Sequence, residues 1–510
     1  MTPVTPVTTR PPVARRVLGV VVHAGIWAVL ASAIAAAIFV HSERTVEIAS
    51  HEARLSPDFS GQVVARMGPV LPDLRMSSGS PIGIEVQLGK TDAATLEELT
   101  SRYAAIASQP EGQIAVARRT VTAMVLAALV QGAVLGLLPL LLWTAVGPAR
   151  RRELARRLPT RGGVVACGVA VALVTAVVVP FGWGRTAQPS QRWVPLADFL
   201  GPAVPLPEEL DGVEVVTDAT TQQSRRLIES AISSYHQSVT FYSEAAEDAA
   251  ELELREPEDG ETVVLLVSDR HDNVGMDKVA RAIADAGGAT AVFDAGDDTS
   301  TGSRWEAFSL DSVAEAFKDF EGRWAVAGNH DNGSFVRSHL EDLGWTYFDD
   351  EVLDGPGGSR ILGIDDPRSS GLGNWRDERG LSFAEVADRL ADAACAADED
   401  GDRVDTLLVH DANLGRGALE RGCVDLVVGG HVHVQSGPTA VEAEDGRVGY
   451  TYTLGTTGGA AYAIAIGSKL RRPASIALLT YRDGRPVGVQ SITLQTNGRY
   501  DVTPWVELAY

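Results

Sequence analysis

The sequence predicts an α/β protein attached to apolar helices, and three observations lead to this fold class. Five short apolar runs in the C-terminal half are typical of strands, and helical or mixed segments separate them. Each of the five runs ends in Asp, Asn or His. Three long apolar segments within residues 1–184 reach the length that crosses a membrane. At 510 residues the chain is too long for a single typical domain.

The five strand ends carry residues that bind metals and phosphate. In chain order they are Asp269-Arg270-His271, Gly296-Asp297-Asp298, Gly328-Asn329-His330-Asp331, His410-Asp411 and Gly430-His431-Val432-His433. In an α/β fold, ligands bind at the carboxyl ends of the strands. We therefore expect the five ends to converge on one polar site. A single His-x-His or Gly-Asn-His-Asp occurs in ordinary turns, so the prediction depends on all five together.

In this order and spacing, the five motifs resemble the signature of the calcineurin-like metallophosphoesterase superfamily. The resemblance covers residues 260–465 and is to a bacterial, membrane-anchored member. It implies a four-layered α/β/β/α metallophosphatase sandwich over residues 261–510. It also implies hydrolysis of a phosphomonoester or phosphodiester, with a hydroxide that bridges two metal ions as the nucleophile.

The resemblance assigns a role to each motif residue. The metal ligands it implies are Asp269, His271 and His433 for one ion, Asn329, His410 and His431 for the other, and Asp297 as the bridge. Oxygen ligands mixed with imidazole suit two divalent ions of Mn, Fe or Zn. His330 matches the histidine that is not a ligand, which stabilises phosphoryl oxygens or protonates the leaving group.

Other residues near the motifs have more than one interpretation. Arg270 either contacts a phosphate oxygen or is merely exposed, and a place behind the ligands is a further possibility for it and for Asp331. Asp331 either orients His330 or caps the next segment. Val432 and Val434 replace residues that relatives often carry here, so the loop beside the metals differs in shape. Residues 355–380 read as a long loop over the site that carries specificity.

The apolar segments predict a multi-pass protein of the plasma membrane. An arginine-rich stretch with six arginines, residues 149–161, favours the cytoplasm by the positive-inside rule. The predicted order is a cytoplasmic tail 1–16, transmembrane helix 17–40, small extracytoplasmic α+β module 41–117, transmembrane helix 120–147, arginine-rich cytoplasmic loop 148–162, transmembrane helix 163–184, linker and accessory segment 185–260, and extracytoplasmic metallophosphoesterase domain 261–510. A cleaved signal peptide is the competing interpretation of residues 17–40.

Charge and cysteine content narrow the functional classes. The net charge is -23, whereas residues 1–184 carry 17 basic and 11 acidic side chains, which leaves -29 for the remainder. A nucleic-acid partner is not expected, because its groove needs a basic surface. Cys395 and Cys423 lie on either side of the His410 strand and either pair or remain free thiols.

Two function classes remain open. The first is an enzyme that hydrolyses a phosphorylated small molecule or an envelope or lipid phosphoester. The second is a membrane-bound sensor or scaffold, in which the metal site binds phosphorylated envelope ligands without turnover. A transporter is less favoured, because the apolar segments hold only Gln131 and His23 as notable polar residues and offer no chain of ionisable groups.

Overall fold

The computed structural model describes most of the chain. It covers residues 13–157 and 192–510, except 49–50, 59, 68–71, 92–110, 201–211, 217–220, 349–350, 372–373, 378–379 and 461–468, and within 158–191 it describes only residues 160, 162 and 165.

Two long apolar helices lie at the start of the chain. Helix α1 spans Val13–Val40 and α2 spans Glu111–Ala145. In the described part, the stretches Val20–Val40 and Gly112–Ala145 are long and apolar enough to cross a membrane. The predicted arginine-rich loop forms a helix instead, α3, over Pro148–Arg157. The third predicted span, 163–184, lies outside the described residues apart from Val165, as does the helical pattern predicted within 93–107.

Small residues bring α1 and α2 together. A Cβ atom at Gly132 would lie 2.6 Å from both Ala31 O and Ala35 Cβ, so the close approach requires glycine there. The indole Nε1 of Trp27 donates a hydrogen bond of 2.9 Å to Ala133 O. Pairing of helices through small residues and interhelical hydrogen bonds is typical of apolar helices in lipid.

A seven-stranded sheet follows α1 and joins two parts of the chain. Its strands are β1 Arg44–Ile48, β2 His51–Asp58, β3 Gln62–Arg66, β4 Leu74–Ser77, β5 Gly83–Thr91, β6 Trp193–Pro195 and β7 Glu214–Val216, in the order β1-β2-β5-β3-β4-β7-β6. The sequence separates 41–117 from 185–260, but β4 pairs with β7 in the structure. Strands that pair over only two or three residues are too short to show a periodic pattern of apolar residues in the sequence.

The remaining chain alternates strands and helices. Its helices are α4 Leu196–Leu200, α5 Thr221–Ala250, α6 Gly275–Ala286, α7 Ala307–Ala316, α8 Phe335–Asp342, α9 Phe383–Glu399 and α10 Arg416–Glu420. Its strands are β8 Glu261–Val267, β9 Ala289–Asp294, β10 Gly322–Ala325, β11 Thr346–Tyr347, β12 Leu353–Asp354, β13 Arg360–Ile364, β14 Arg368–Gly371, β15 Asn374–Asp377, β16 Val404–Val409, β17 Val424–Gly429, β18 Ser436–Glu442, β19 Val448–Thr453, β20 Ala474–Arg482, β21 Arg485–Leu494, β22 Tyr500–Val502 and β23 Val506–Glu507.

These strands form two large mixed sheets. One has the order β11-β10-β9-β8-β20-β21-β22, with β23 added beside β21, and the other has the order β12-β13-β16-β17-β19-β18. In the first sheet, the neighbouring strands β8, β9, β10 and β11 are parallel. In the second sheet, β13, β16, β17 and β19 are parallel. The carboxyl ends of both parallel sets therefore provide the site.

Three hydrophobic layers hold the sheets and helices in the predicted α/β/β/α order. Along β8, Val263 and Leu265 pack under the helices α5–α8, while Val264 and Leu266 face the second sheet. This split follows from the two-residue repeat of side-chain direction in a strand. The third layer packs α9 and α10 on the outer face of the second sheet, around Leu390 and Leu407 among others.

The second apolar helix also contacts the α/β domain. Arg119 of α2 forms an ion pair with Asp311 of α7, and Asp311 Oδ1 lies 2.9 Å from His339 Nε2 of α8. Near the start of α2, a Cβ atom at Gly112 would lie 2.5 Å from Phe308 Cβ. Arg119, at the start of α2, is thus paired with an acidic side chain of the domain.

Cys395 of α9 and Cys423, before β17, form a disulfide with a Cα–Cα distance of 4.9 Å. The pairing left open by the sequence is therefore present in the structure.

Candidate metal centre

The backbone at three of the five strand ends adopts a conformation that side chains other than glycine rarely take. Positive φ angles occur at Asp269 (54°), His271 (46°), Asp297 (58°), His431 (74°) and His433 (55°). Such residues persist only where the surrounding structure holds them, and they concentrate at functional sites. The strained turns aim these five side chains toward one point between the two sheets.

Two glycines allow the loops to approach each other. A Cβ atom at Gly430 would lie 2.2 Å from Asp269 Oδ2, and one at Gly328 would lie 2.2 Å from Asp297 Oδ1. Glycine is therefore required beside both carboxylates, as the sequence predicts for the Gly-Gly-His-x-His loop.

One group of ligand atoms consists of Asp269, His271 and His433, whose donor atoms lie within 4.8 Å of one another. His433 Nε2 lies 3.1 Å from Asp269 Oδ1, and His271 Nε2 lies 3.9 Å from the same oxygen. The two imidazole Nε2 atoms are 3.0 Å apart.

A second group centres on Asp297. Its Oδ2 lies 3.2 Å from His410 Nε2, and Asp269, Asp297 and His410 also offer donor atoms within 4.8 Å of one another. Asn329 Oδ1 lies 3.1 Å from His410 Nε2. The His431 ring packs edge-on against the His410 ring, with 5.1 Å between the ring centroids. All seven predicted ligands thus lie in one region, with His431 beside the closely spaced donor atoms.

Backbone carbonyls fix which nitrogen two of the histidines present. The Nδ1 atoms of His410 and His433 lie 2.7 Å from Ala295 O and 3.2 Å from Ala460 O. A carbonyl oxygen only accepts, so Nδ1 carries the proton and Nε2 faces the site. Hydrogen bonds of this kind orient metal-binding histidines.

The electrostatics of the site favour ionised carboxylates. Burial alone would raise the pKa of Asp297, but the charge of His410 and its hydrogen bond outweigh burial and hold the pKa of Asp297 far below its usual range. Burial would likewise lower the pKa of His410, but Asp297 raises it well above the usual value. His271 differs, because burial lowers the pKa of its imidazole to about 4.

The donor set fits divalent metal ions. Two neutral imidazole nitrogens that face each other at 3.0 Å repel, unless a proton or a cation lies between them. Carboxylate, amide and imidazole ligands together suit Mn, Fe and Zn rather than Ca or Mg. Asp269, His271 and His433 on one side, and Asn329 and His410 on the other, would hold the two ions, with Asp297 between them.

His330 lies at the edge of the ligand groups. Its Nδ1 donates a hydrogen bond of 3.0 Å to Ser300 O, so Nε2 points inward. Its backbone N–H donates to Asp297 Oδ1 at 2.7 Å. The His271 and His330 rings lie edge-on, with 5.2 Å between centroids.

Asp331 joins two ligand loops. Its Oδ2 accepts hydrogen bonds from Asp297 N at 2.7 Å and Gly328 N at 3.0 Å, and its Oδ1 accepts from Thr299 N at 3.0 Å. Burial, with the charges of Asp298 and Asp297, raises the pKa of Asp331 to about 8. Its bonds go to the loop that carries Asp297, which favours a structural role over the orientation of His330.

Arg270 is buried behind the Asp297 loop, which is the third of the positions that the sequence left open for it. Its side chain is 1% exposed and donates to both oxygens of Asp277, at 2.7 and 2.8 Å, and to Asp298 Oδ1 at 2.7 Å. Burial would lower the pKa of Arg270, but the charges of Asp277 and Asp298 raise it. The side chain therefore supports the Asp297 loop from behind.

The sequence missed a sixth strand end. Strand β13 leads into Asp365-Asp366, and β14 follows with Ser370, whose hydroxyl contacts both Asn329 and His330. Ser370 belongs to the segment 355–380, which the sequence predicts as a long loop over the site, but the described part of this segment contains strands β13, β14 and β15. Glycine and serine flank β13 and obscure it, although its Asp-Asp ending is the same signal that marked the other strands.

Comparison with protein families agrees with this geometry. Residues 262–435 match the family model described as calcineurin-like phosphoesterase. These residues form a calcineurin-like phosphoesterase domain. The resemblance inferred from the five motifs is thereby confirmed. A comparison with curated proteins returned no match.

Three solved structures are similar to part of this chain. A Haemophilus influenzae NAD nucleotidase, NadN, is 15% identical with a TM-score of 0.29 and covers 48% of this chain and 50% of its own. The sulfate thiohydrolase SoxB of Thermus thermophilus is 20% identical with a TM-score of 0.27, and 47% and 43% are covered. An archaeal phosphodiesterase is 14% identical with a TM-score of 0.27, and 48% and 100% are covered. The chain thus spans about half the length of the first two proteins.

Replacement of Arg270 by Met tests whether this arginine supports the fold or contacts substrate. Loss of the guanidinium leaves Asp277 and Asp298 buried without their partner, which costs about 3–5 kcal/mol. We expect the melting temperature of the purified protein to fall by on the order of 10 °C. The control is Arg416→Met, because Arg416 pairs with Glu420 on an exposed helix face and should change stability by less than about 1 kcal/mol. An unchanged melting temperature with a raised KM would instead make Arg270 a substrate contact.

Proposed function

We propose that this protein is a membrane-anchored phosphoesterase that depends on two metal ions and acts outside the cell membrane. The observation that carries the proposal is the convergence of two closely spaced donor groups that share Asp269, within a calcineurin-like phosphoesterase domain. Asp297 Oδ2 also reaches both groups, at 3.9 Å from His271 Nε2 and 3.2 Å from His410 Nε2. The reaction is the hydrolysis of a phosphomonoester or phosphodiester.

The roles of the side chains follow from their contacts. Two bound divalent ions supply an acidified water and positive charge for the phosphoryl oxygens. Asp297 lies between the two ligand groups and is held by His330 N, so it is fixed where a bridging carboxylate is needed. His330 presents Nε2 toward the site and protonates the leaving oxygen, or stabilises the phosphoryl group. Mn, Fe and Zn are the metals that this ligand set favours.

Strand pairing supports a third membrane crossing. Strands β4 and β7 pair, so Leu74–Ser77 and Glu214–Val216 share one side of the membrane. If α1 and α2 both cross, the chain leaves that side after β5 and must return between Arg157 and Trp193. The predicted span 163–184 falls in this interval.

Two further observations support a domain outside the cell membrane. The arginine-rich helix α3 belongs to the cytoplasm by the positive-inside rule. The disulfide between Cys395 and Cys423 agrees with an oxidising compartment. The Arg119–Asp311 ion pair keeps the domain against the start of α2.

For the substrate we propose an amphiphilic phosphoester of the envelope. Val432 and Val434 flank His433, and their side chains are 53% and 62% exposed. In the described part of 261–510, the other large apolar side chains that are more than a third exposed are Val506 and Tyr510, at 43% and 37%. An exposed apolar pair beside the metal ligands, in a domain attached to the membrane, suits the apolar part of such a molecule.

Hydrolysis of bis(4-nitrophenyl) phosphate and 4-nitrophenyl phosphate tests the proposed activity. We expect the wild type to turn over at least one ester with added manganese. Asp297→Asn should lose far more than the roughly 10–100-fold caused by removing an outer partner of a metal ligand. The matched control is Asp445→Asn, because Asp445 pairs with Arg447 on the surface, and it should keep full activity.

Metal content, measured on the same samples, separates the two function classes. Two bound ions together with turnover support the enzyme. Two bound ions without turnover of either ester, or of a phospholipid in vesicles, would contradict the enzyme and favour the sensor or scaffold.

Tag accessibility in spheroplasts tests the topology. We expect added protease to remove a tag at the C-terminus and to spare a tag inserted after Arg157 until the membrane is lysed, because the two sites lie on opposite sides. The reverse pattern would place the catalytic domain in the cytoplasm. Removal of both tags before lysis would contradict a crossing between them.

A further inference from the structure

We propose that Ser370 is a positioning residue for His330, and that its hydroxyl holds the imidazole where it protonates the leaving group. Ser370 lies in β14, is 8% exposed and belongs to none of the five motifs. Its Oγ lies 3.0 Å from His330 Nε2. This inference deepens the proposed function and rests on it.

The direction of the hydrogen bonds can be read from the partners. Ser300 O accepts from His330 Nδ1, so the Nε2 of the neutral ring is an acceptor. Asn329 Nδ2 donates to Ser370 Oγ. The Ser370 hydroxyl therefore points its proton at His330 Nε2. The order Asn329, Ser370, His330 links a predicted metal ligand to the predicted acid by side chains alone.

The hydroxyl is not needed to dock the strand. The backbone N–H of Ser370 donates to Asn329 O at 2.7 Å, and Asp366 N donates to Ala327 O at 2.9 Å. Ala327 N in turn donates to Asp365 Oδ1 at 2.9 Å. These bonds already fasten the β13–β14 segment to the Asn329 loop, so the contact of the hydroxyl with His330 calls for another explanation.

A hydroxyl suits this position because it can both donate and accept. It accepts from Asn329 Nδ2 and donates to the neutral ring, so it orients Nε2 once the proton has moved to the leaving oxygen. In the proton transfer, His330 gives its Nε2 proton to the leaving oxygen as the ester P–O bond breaks. The attacking water bonds to phosphorus and releases a proton, which restores the balance.

The test compares Ser370→Ala, Ser370→Thr and Ser369→Ala on a series of phosphate esters with leaving groups from 4-nitrophenol to a simple alcohol. Good leaving groups depart without a proton, whereas poor ones need it. We expect Ser370→Ala to lose less than about 3-fold in kcat with the 4-nitrophenyl ester and on the order of 10²-fold with the alkyl ester. Ser370→Thr retains a hydroxyl and should recover most of this loss.

Ser369→Ala is the matched control. Ser369 is the neighbouring residue, is fully buried, and directs its hydroxyl to Asn332 rather than to His330. We expect it to show no dependence on the leaving group. Metal content should remain two ions per chain in all three variants.

Three outcomes would count against the inference. An equal loss on all esters, or a loss that follows metal content, would make Ser370 only structural. Failure of Ser370→Thr to recover activity on the alkyl ester would also contradict it. His330→Gln identifies the remaining case: if its own loss does not grow with poorer leaving groups, the acid role of His330 fails, and the proposed mechanism fails with it.

Discussion

The neutralisation of two buried carboxylates is the constraint on which the rest of the site depends. Asp269 and Asp297 are no more than 1% exposed, and an ionised carboxylate without partners is very costly in such a place. Each receives backbone hydrogen bonds as well as imidazole neighbours. Asp269 Oδ2 accepts from His431 N at 2.9 Å, and Asp297 Oδ1 accepts from His330 N at 2.7 Å. Each carboxylate therefore binds the loop that carries another functional residue.

This mutual support accounts for the strained backbone. The turns at Asp269, Asp297 and His431 adopt positive φ angles that cost free energy in isolation. Asp331 offsets part of that cost by accepting hydrogen bonds from three backbone N–H groups of the Asp297 and Gly328 loops. Arg270 also stabilises the Asp297 loop, by pairing with Asp298. These hydrogen bonds hold the donor side chains in one arrangement, which is a requirement for precise catalysis.

The sequence predicted the site better than the surrounding architecture, for a physical reason. Metal ligands must come from a few residue types, and strand ends mark where they meet, so Asp269, Asp297 and His410 could be recognised from short motifs. Ser370 could not be recognised, because a serine in a short strand such as β14 has no chemistry that distinguishes it from a serine in a turn. The orientation of Arg270 could not be predicted either, because its partner Asp277 lies seven residues further on, in helix α6.

Long-range pairing explains the other differences. Strands β6 and β7 are three residues each. Strand β7 pairs with β4, more than a hundred residues earlier, and β6 pairs with β7. The local pattern of apolar residues does not indicate such a distant partner strand. The apolar helices α1 and α2 were predictable by length alone, whereas the ion pair between Arg119 and Asp311 was not.

The most direct test of the account is the position of bound metals, by anomalous diffraction from crystals of the protein purified with manganese. The account predicts two anomalous peaks about 3.5–4 Å apart, with Asp297 in contact with both ions. His271 and His433 should contact one ion, and Asn329 and His410 the other. A single peak, or two peaks that do not share Asp297, would contradict the binuclear site on which the proposed function depends.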